Sequence, residues 1–196
     1  MKDKEKIEQH MFDMKNRAYK IIHDLKIIET WEKIGARVNL VGSLKMGLLV
    51  KHRDIDFHIY TNDLSPVQAL KVIAELAHSP GVKKIEYSNL SDKEDCCLEF
   101  HLWIEDDIGE LWQIDMINIK SNSKYDGYFE QVADTVLKQM TKEQKQLICE
   151  LKYVTPDTEK IAGIEYYKAV IQDNIKSWNE FVVWRKQQSF SGIIEW

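Results

Sequence analysis

The chain has 196 residues, 44% of them hydrophobic and 30% charged, with a formal net charge of −5. That length suits one domain, or a small catalytic domain with a helical appendage, and it can bury a sizeable core. The acidic balance argues against a dedicated nucleic-acid binder, which usually carries a basic face, although a local basic groove remains compatible with it.

The first residues, MKDKEKIEQH, are charged and lack the apolar stretch of a secretory signal. No segment reaches the roughly 20 apolar residues of a membrane span. Cys96, Cys97 and Cys149 form no metal-binding spacing and no even framework, which predicts reduced thiols in a cytoplasmic protein.

Residues 3–34 carry apolar residues every three or four positions, from Ile7 to Trp31, and predict one amphipathic helix ended by Gly35. Residues 37–42 predict a short strand. Residues 54–60 alternate, with Ile55, Phe57 and Ile59 on one side and Asp54, Asp56, His58 and Tyr60 on the other. Ser65-Pro66 starts a helix, with Gln68 placed for a capping box and Val67, Leu70, Ile73, Ala74 and Ala77 as its stripe; Pro80-Gly81 stops it. Residues 83–88, 96–105 and 111–119 predict three strands, the last two joined by a turn at Asp106–Gly109. Residues 126–152 and 157–188 predict two long amphipathic helices. The aromatic stripe of the second, including Trp178 and Phe181, reads as packing between helices rather than a ligand box.

The order of elements predicts an α+β fold: a mixed or antiparallel sheet flanked by helices, then a C-terminal helical bundle. The expected division is a catalytic-type domain over 1–122 and a helical region over 123–196.

Chemistry concentrates between Val41 and Phe57. Gly42-Ser43 ends a strand, and a glycine there lets backbone approach a ligand closely. A short helix starting at Leu44 would add its N-terminal dipole. Lys45 adds a charge. Asp54 and Asp56, two apart on a strand, place two carboxylates on one face. Such like charges repel unless a cation sits between them, and Mg²⁺ binds through one or two carboxylates plus substrate phosphates. Further along, Asp115 interrupts the apolar strand LWQIDMINI, where a charge needs a partner or a metal. Glu99 on the preceding strand is the second candidate. His58, His101, Lys51, Arg53, Lys120, Ser121 and Ser123 are weaker candidates, and Cys96-Cys97 reads as inert.

Ten residues separate Ser43 from Asp54. A hydrophobic strand, Gly42-Ser43, that spacing and then Asp54-x-Asp56 resemble the DNA polymerase beta-like nucleotidyltransferase superfamily, over roughly residues 30–120. The resemblance implies a nucleoside triphosphate, ATP or another, as substrate, with its phosphates at Gly42, Ser43 and Lys45. It implies Mg²⁺ held by Asp54, Asp56 and Asp115 in a two-metal site, and Asp115 preferred over Glu99 as third acid. It further implies in-line attack of an acceptor oxygen on the α-phosphorus with loss of pyrophosphate.

The C-terminal helices resemble, in arrangement only, those of small-molecule nucleotidyltransferases such as the aminoglycoside-modifying ones. With the acidic balance, this makes a small-molecule hydroxyl the expected acceptor of an adenylyl group, and RNA or protein the alternative. A non-catalytic nucleotide-binding module, with the helices as a homodimer surface, is the reading from another class.

Overall fold

A computed structural model describes residues 2–93, 96–189 and 196. The N-terminal pattern forms two helices, α1 (Lys2–Leu25) and α2 (Ile27–Glu32), rather than one. Lys26 between them adopts a left-handed conformation, φ 51. The break has a packing reason. Leu25 and Ile27 are both buried, yet two residues apart on one helix they would point about 200° apart.

A short strand β1 (Arg37–Val41) leads directly into the one-turn helix α3 (Gly42–Met46), which begins two residues earlier than expected. After the loop 47–53 come β2 (Asp54–Thr61) and α4 (Pro66–Leu76). Ser65 caps α4 by accepting from the Gln68 amide. The buried stripe of α4 is Ala69, Val72, Ile73 and Leu76, while Val67 and Leu70 are exposed. This helix is apolar on more than one side, so periodicity alone chose the wrong stripe, and the sheet decided.

The strands β3 (Val82–Leu90), β4 (Cys97–Glu105) and β5 (Leu111–Lys120) complete one five-stranded mixed sheet, ordered β1-β2-β5-β4-β3. Only β2 and β5 run parallel among its pairs; the rest are antiparallel. The β4–β5 turn forms as expected, with the Gly109 amide donating to the Asp106 carbonyl at 3.0 Å. Helices α1, α2 and α4 cover one side of the sheet. Beneath them lie Ile55, Phe57, Phe100, Leu102, Trp112, Ile114 and Met116, all fully buried.

The remaining helices are shorter than predicted: α5 (Tyr128–Gln139), α6 (Lys142–Val154), α7 (Gly163–Tyr167), a π-helical turn at Lys168–Gln172, and α8 (Trp178–Lys186). Thr141 and Gln144 form a reciprocal capping box that restarts the chain as α6. Asn174, at φ 55, and the Ser177 cap on Glu180 divide the last segment. The expected aromatic packing is present across these breaks: Tyr166 and Phe181 stack at 4.8 Å. This second core also takes in Ile7 of α1 and Met46, Leu48 and Val50 around the α3 loop. The loop that precedes Asp54 is thereby anchored to the C-terminal helices. Among the described residues no helix is long and apolar enough to cross a membrane.

Candidate active site

The parallel pairing of β2 with β5 sets Asp56 directly opposite Asp115, and Asp54 opposite Gln113. Side chains in register share a face, so all three acids stand on the side of the sheet that α1, α2 and α4 leave free. Glu99 lies one strand further out, opposite Ile117.

Gly42 explains its own identity. Its φ is +66, and a Cβ built there would lie 1.9 Å from the Asp56 Oδ2. The turn after β1 therefore presses bare backbone against a carboxylate, which no side chain permits. Asp56 is recessed against this turn. Burial, then the neighbouring Asp54 and Asp115 carboxylates, push its pKa up to about 7, and Lys152 opposes them. Asp54 is also raised, first by burial, against the pull of Lys152 and His52. A cluster that resists its own ionisation is stabilised by a cation.

Asp115 is held from two sides. His101 Nδ1 lies 2.6 Å from its Oδ1, and the Gln113 amide donates to the same oxygen at 2.8 Å. The second oxygen is left for other partners. Among the described residues, no group of three or more His, Cys, Asp or Glu side chains is placed to hold a metal ion. A pair of carboxylates still fits Mg²⁺, which binds through one or two carboxylates, keeps waters and takes its remaining ligands from phosphates.

Asp54 and Asp115 line a cavity of about 710 Å³ together with Ser43, the 49–53 loop, Trp103 and the chain from Asp157 to Glu165. Lys152 of α6 lines it as well, though its residue is only 7% exposed. The Lys152 ammonium donates to the Ser43 hydroxyl at 2.7 Å and to the Leu48 carbonyl at 3.0 Å. It also lies 5.5 Å from the centre of the Tyr167 ring. A buried cation on the serine of the glycine-serine turn gives this wall of the cavity an anion-binding character. Lys160, exposed on the rim, adds a second charge.

The other candidates are placed as follows. Lys45 is exposed and lies outside the cavity lining. Lys51 reaches Asp157 at 2.7 Å, and Arg53 is bidentate to Glu110; both residues line the cavity. His58 lies away from it, edge-on to Phe129 at 4.9 Å, with burial lowering its pKa. Lys120, Ser121 and Ser123 lie beyond the lining; the Ser121 amide bonds back to Thr61. Lys152 was absent from the sequence reading. Its signal was its position four residues after Ile148 and three after Cys149, on the buried stripe of its own helix.

The five-stranded mixed sheet flanked by helices defines a nucleotidyltransferase-like α+β fold. No protein-family model and no curated protein matches the sequence. Solved structures match by shape. The poly(U) polymerase Cid1 with MgGTP bound aligns with a TM-score of 0.55 at 16% identity, over 83% of this chain and 54% of that one. The non-canonical poly(A) polymerase complex GLD-2–GLD-3 aligns at 0.58 and 12%, over 86% and 57%. A cytoplasmic RNA terminal U-transferase aligns at 0.51 and 14%, over 85% and 53%. The chain spans a little over half the length of these proteins, and at such identities the likeness establishes the fold.

Proposed function

We propose that the chain transfers a nucleoside monophosphate from a nucleoside triphosphate to a hydroxyl of RNA. The observation that carries this is the meeting of Asp54 and Asp115 with Ser43 and the buried Lys152 at one cavity, with Asp56 paired in register to Asp115 behind its lining. The acceptor reading departs from the sequence-based expectation of a small molecule. The three solved structures named above are a poly(U) polymerase, a poly(A) polymerase complex and an RNA terminal U-transferase, and this favours RNA.

In this reading Ser43, the adjoining backbone and Lys152 hold the triphosphate, Lys152 as the counter-charge on a wall shielded from water. Asp54 and Asp56 would hold a divalent cation. When bound, Mg²⁺ neutralises phosphate charge and the carboxylate cluster together. Asp115, fixed by His101 and Gln113, turns its free oxygen to the acceptor hydroxyl and draws off its proton as attack on the α-phosphorus begins. The bond from that phosphorus to the bridging oxygen breaks, and pyrophosphate leaves along the Lys152 wall. Most of the acceleration comes from positioning and charge neutralisation.

The test is a single-stranded RNA oligonucleotide incubated with each nucleoside triphosphate and Mg²⁺, read as extension and pyrophosphate release. The expected result is Mg²⁺-dependent extension that Asp56→Asn abolishes. Equal pyrophosphate release from wild type and Asp56→Asn would overturn the proposal, as would turnover with a small hydroxyl compound and none with RNA.

A further inference from the structure

The open side of the sheet continues past the carboxylates, from β5 across β4 to the edge strand β3. On β4, His101 stands opposite Asp115 and Trp103 opposite Gln113. Two residues of strand place the indole about 7 Å along from the Asp115 row. Trp103 is half-buried and lines the same cavity as Asp54 and Asp115. Its alternating neighbours Leu102 and Ile104 face the core, so Trp103 is not needed to fill that side.

One face of the indole is already used by a cation. The Lys84 ammonium on β3 lies 4.3 Å from the ring centre. Lys84 is mostly exposed, and its ion pair is with Glu86 at 2.5 Å. A solvated pair of this kind contributes little, so the lysine is free to move.

We propose that Trp103 is the stacking platform for the terminal base of a single-stranded RNA acceptor, with Lys84 passing from the ring to the acceptor's phosphate. The inference rests on the RNA nucleotidyltransferase reading above and adds where the acceptor lies. A base on Trp103 puts its sugar hydroxyls toward Asp115, because base and hydroxyls sit at opposite ends of a nucleoside. The cations of the other wall, Lys152 and Lys160, are left to the triphosphate. Since β3 ends the sheet, an acceptor strand leaves over Lys84 into solvent. Glu86 and Glu99 flank this path, so stacking rather than charge supplies most of the affinity, and every base offers a face to stack.

The experiment compares Trp103→Leu with Trp103→Phe. Leucine keeps apolar bulk and removes the π face; phenylalanine keeps both. The KM for a single-stranded oligonucleotide and the KM for the triphosphate are measured separately, with thermal melts to verify folding. Trp103→Leu is expected to raise the RNA KM roughly ten- to a hundredfold and leave the triphosphate KM within about twofold, and Trp103→Phe to recover most of the loss. Lys84→Gln, at a mostly exposed side chain, is expected to weaken RNA binding severalfold and reduce its salt dependence by about one counterion. If the wild type extends RNA while the Leu and Phe variants share its RNA KM, the platform is wrong and the transferase reading stands. If the wild type extends no RNA with any triphosphate, both fall.

Discussion

Along β5, Trp112, Ile114 and Met116 are fully buried, while Gln113 and Asp115 alternate with them on the cavity side. The same division holds on β4, where Phe100 and Leu102 face the helices and His101 and Trp103 face the cleft. One side of the sheet is apolar and covered; the other collects like charges that oppose one another. The comparison teaches that the covered side fixes the strand register, and the register is what holds Asp56 and Asp115 together against their repulsion. Changes on the two sides should therefore separate stability from chemistry.

The largest effect is expected on the covered side. Phe100→Ala removes a ring with no exposed surface and should cost about 3–5 kcal/mol in chemical denaturation. A smaller loss would mean that the sheet closes over the gap, and that the covered face is less rigid than its packing implies.

On the open side Asp56→Asn should do the reverse. Activity should fall by about a hundredfold or more, a loss typical of removing one preorganised electrostatic group. Stability should rise. The carboxyl titrates near 7 when folded and near 3.8 when unfolded, so the wild type loses stability as pH climbs between those values. Asparagine does not titrate, and its advantage should be full above pH 7 and absent below about pH 4. Added Mg²⁺ should raise the wild-type melting temperature at pH 8 and have little effect on the variant. A variant that melts like the wild type at every pH would show that burial and the neighbouring carboxylates do not oppose ionisation of Asp56.

Lys152→Met tests the wall facing the sheet. It removes the bonds to Ser43 and Leu48 and keeps the apolar stem. The triphosphate KM should rise about ten- to a hundredfold, in line with a lost charge-assisted contact, with RNA binding little altered. Equal loss for both substrates would indicate that the lysine holds the loop rather than a phosphate.

Much of the site could be read from sequence because its parts are local. Gly42, Ser43, Asp54 and Asp56 fall within fifteen residues, and strand alternation alone puts the two acids on one face. Asp115 announced itself as a charge inside an apolar run. Lys152 could not be read this way, because its meeting with Ser43 depends on α6 folding back across more than a hundred residues of chain. The helix breaks were lost for a different reason. Lys26 takes a left-handed turn without a glycine, driven by packing on both sides. The breaks at Thr141 and Ser177 did carry signals, Thr-x-x-Gln and Ser-x-x-Glu, which continuous apolar spacing masked.

The smallest effect sharpens the electrostatic half of the comparison. Asp106 sits at the β4–β5 turn, on the side of α1. Burial alone would raise its pKa, but hydrogen bonds from Arg17, the Trp112 indole and two backbone amides hold it below the usual carboxylate range. Its sign is thus opposite to that of Asp56. A carboxylate with a depressed pKa contributes stability above its unfolded value, and the contribution disappears as pH falls through the folded value. Asp106→Asn should cost roughly 1–3 kcal/mol at pH 7 and progressively less in acid below about pH 4, in denaturation curves taken across that range. Asp56→Asn stabilises at high pH and Asp106→Asn destabilises there, so two charge-neutralising substitutions on one sheet should move stability in opposite directions. If both moved it the same way, net charge rather than local surroundings would govern the pH response, and the contrast between the faces would not be electrostatic.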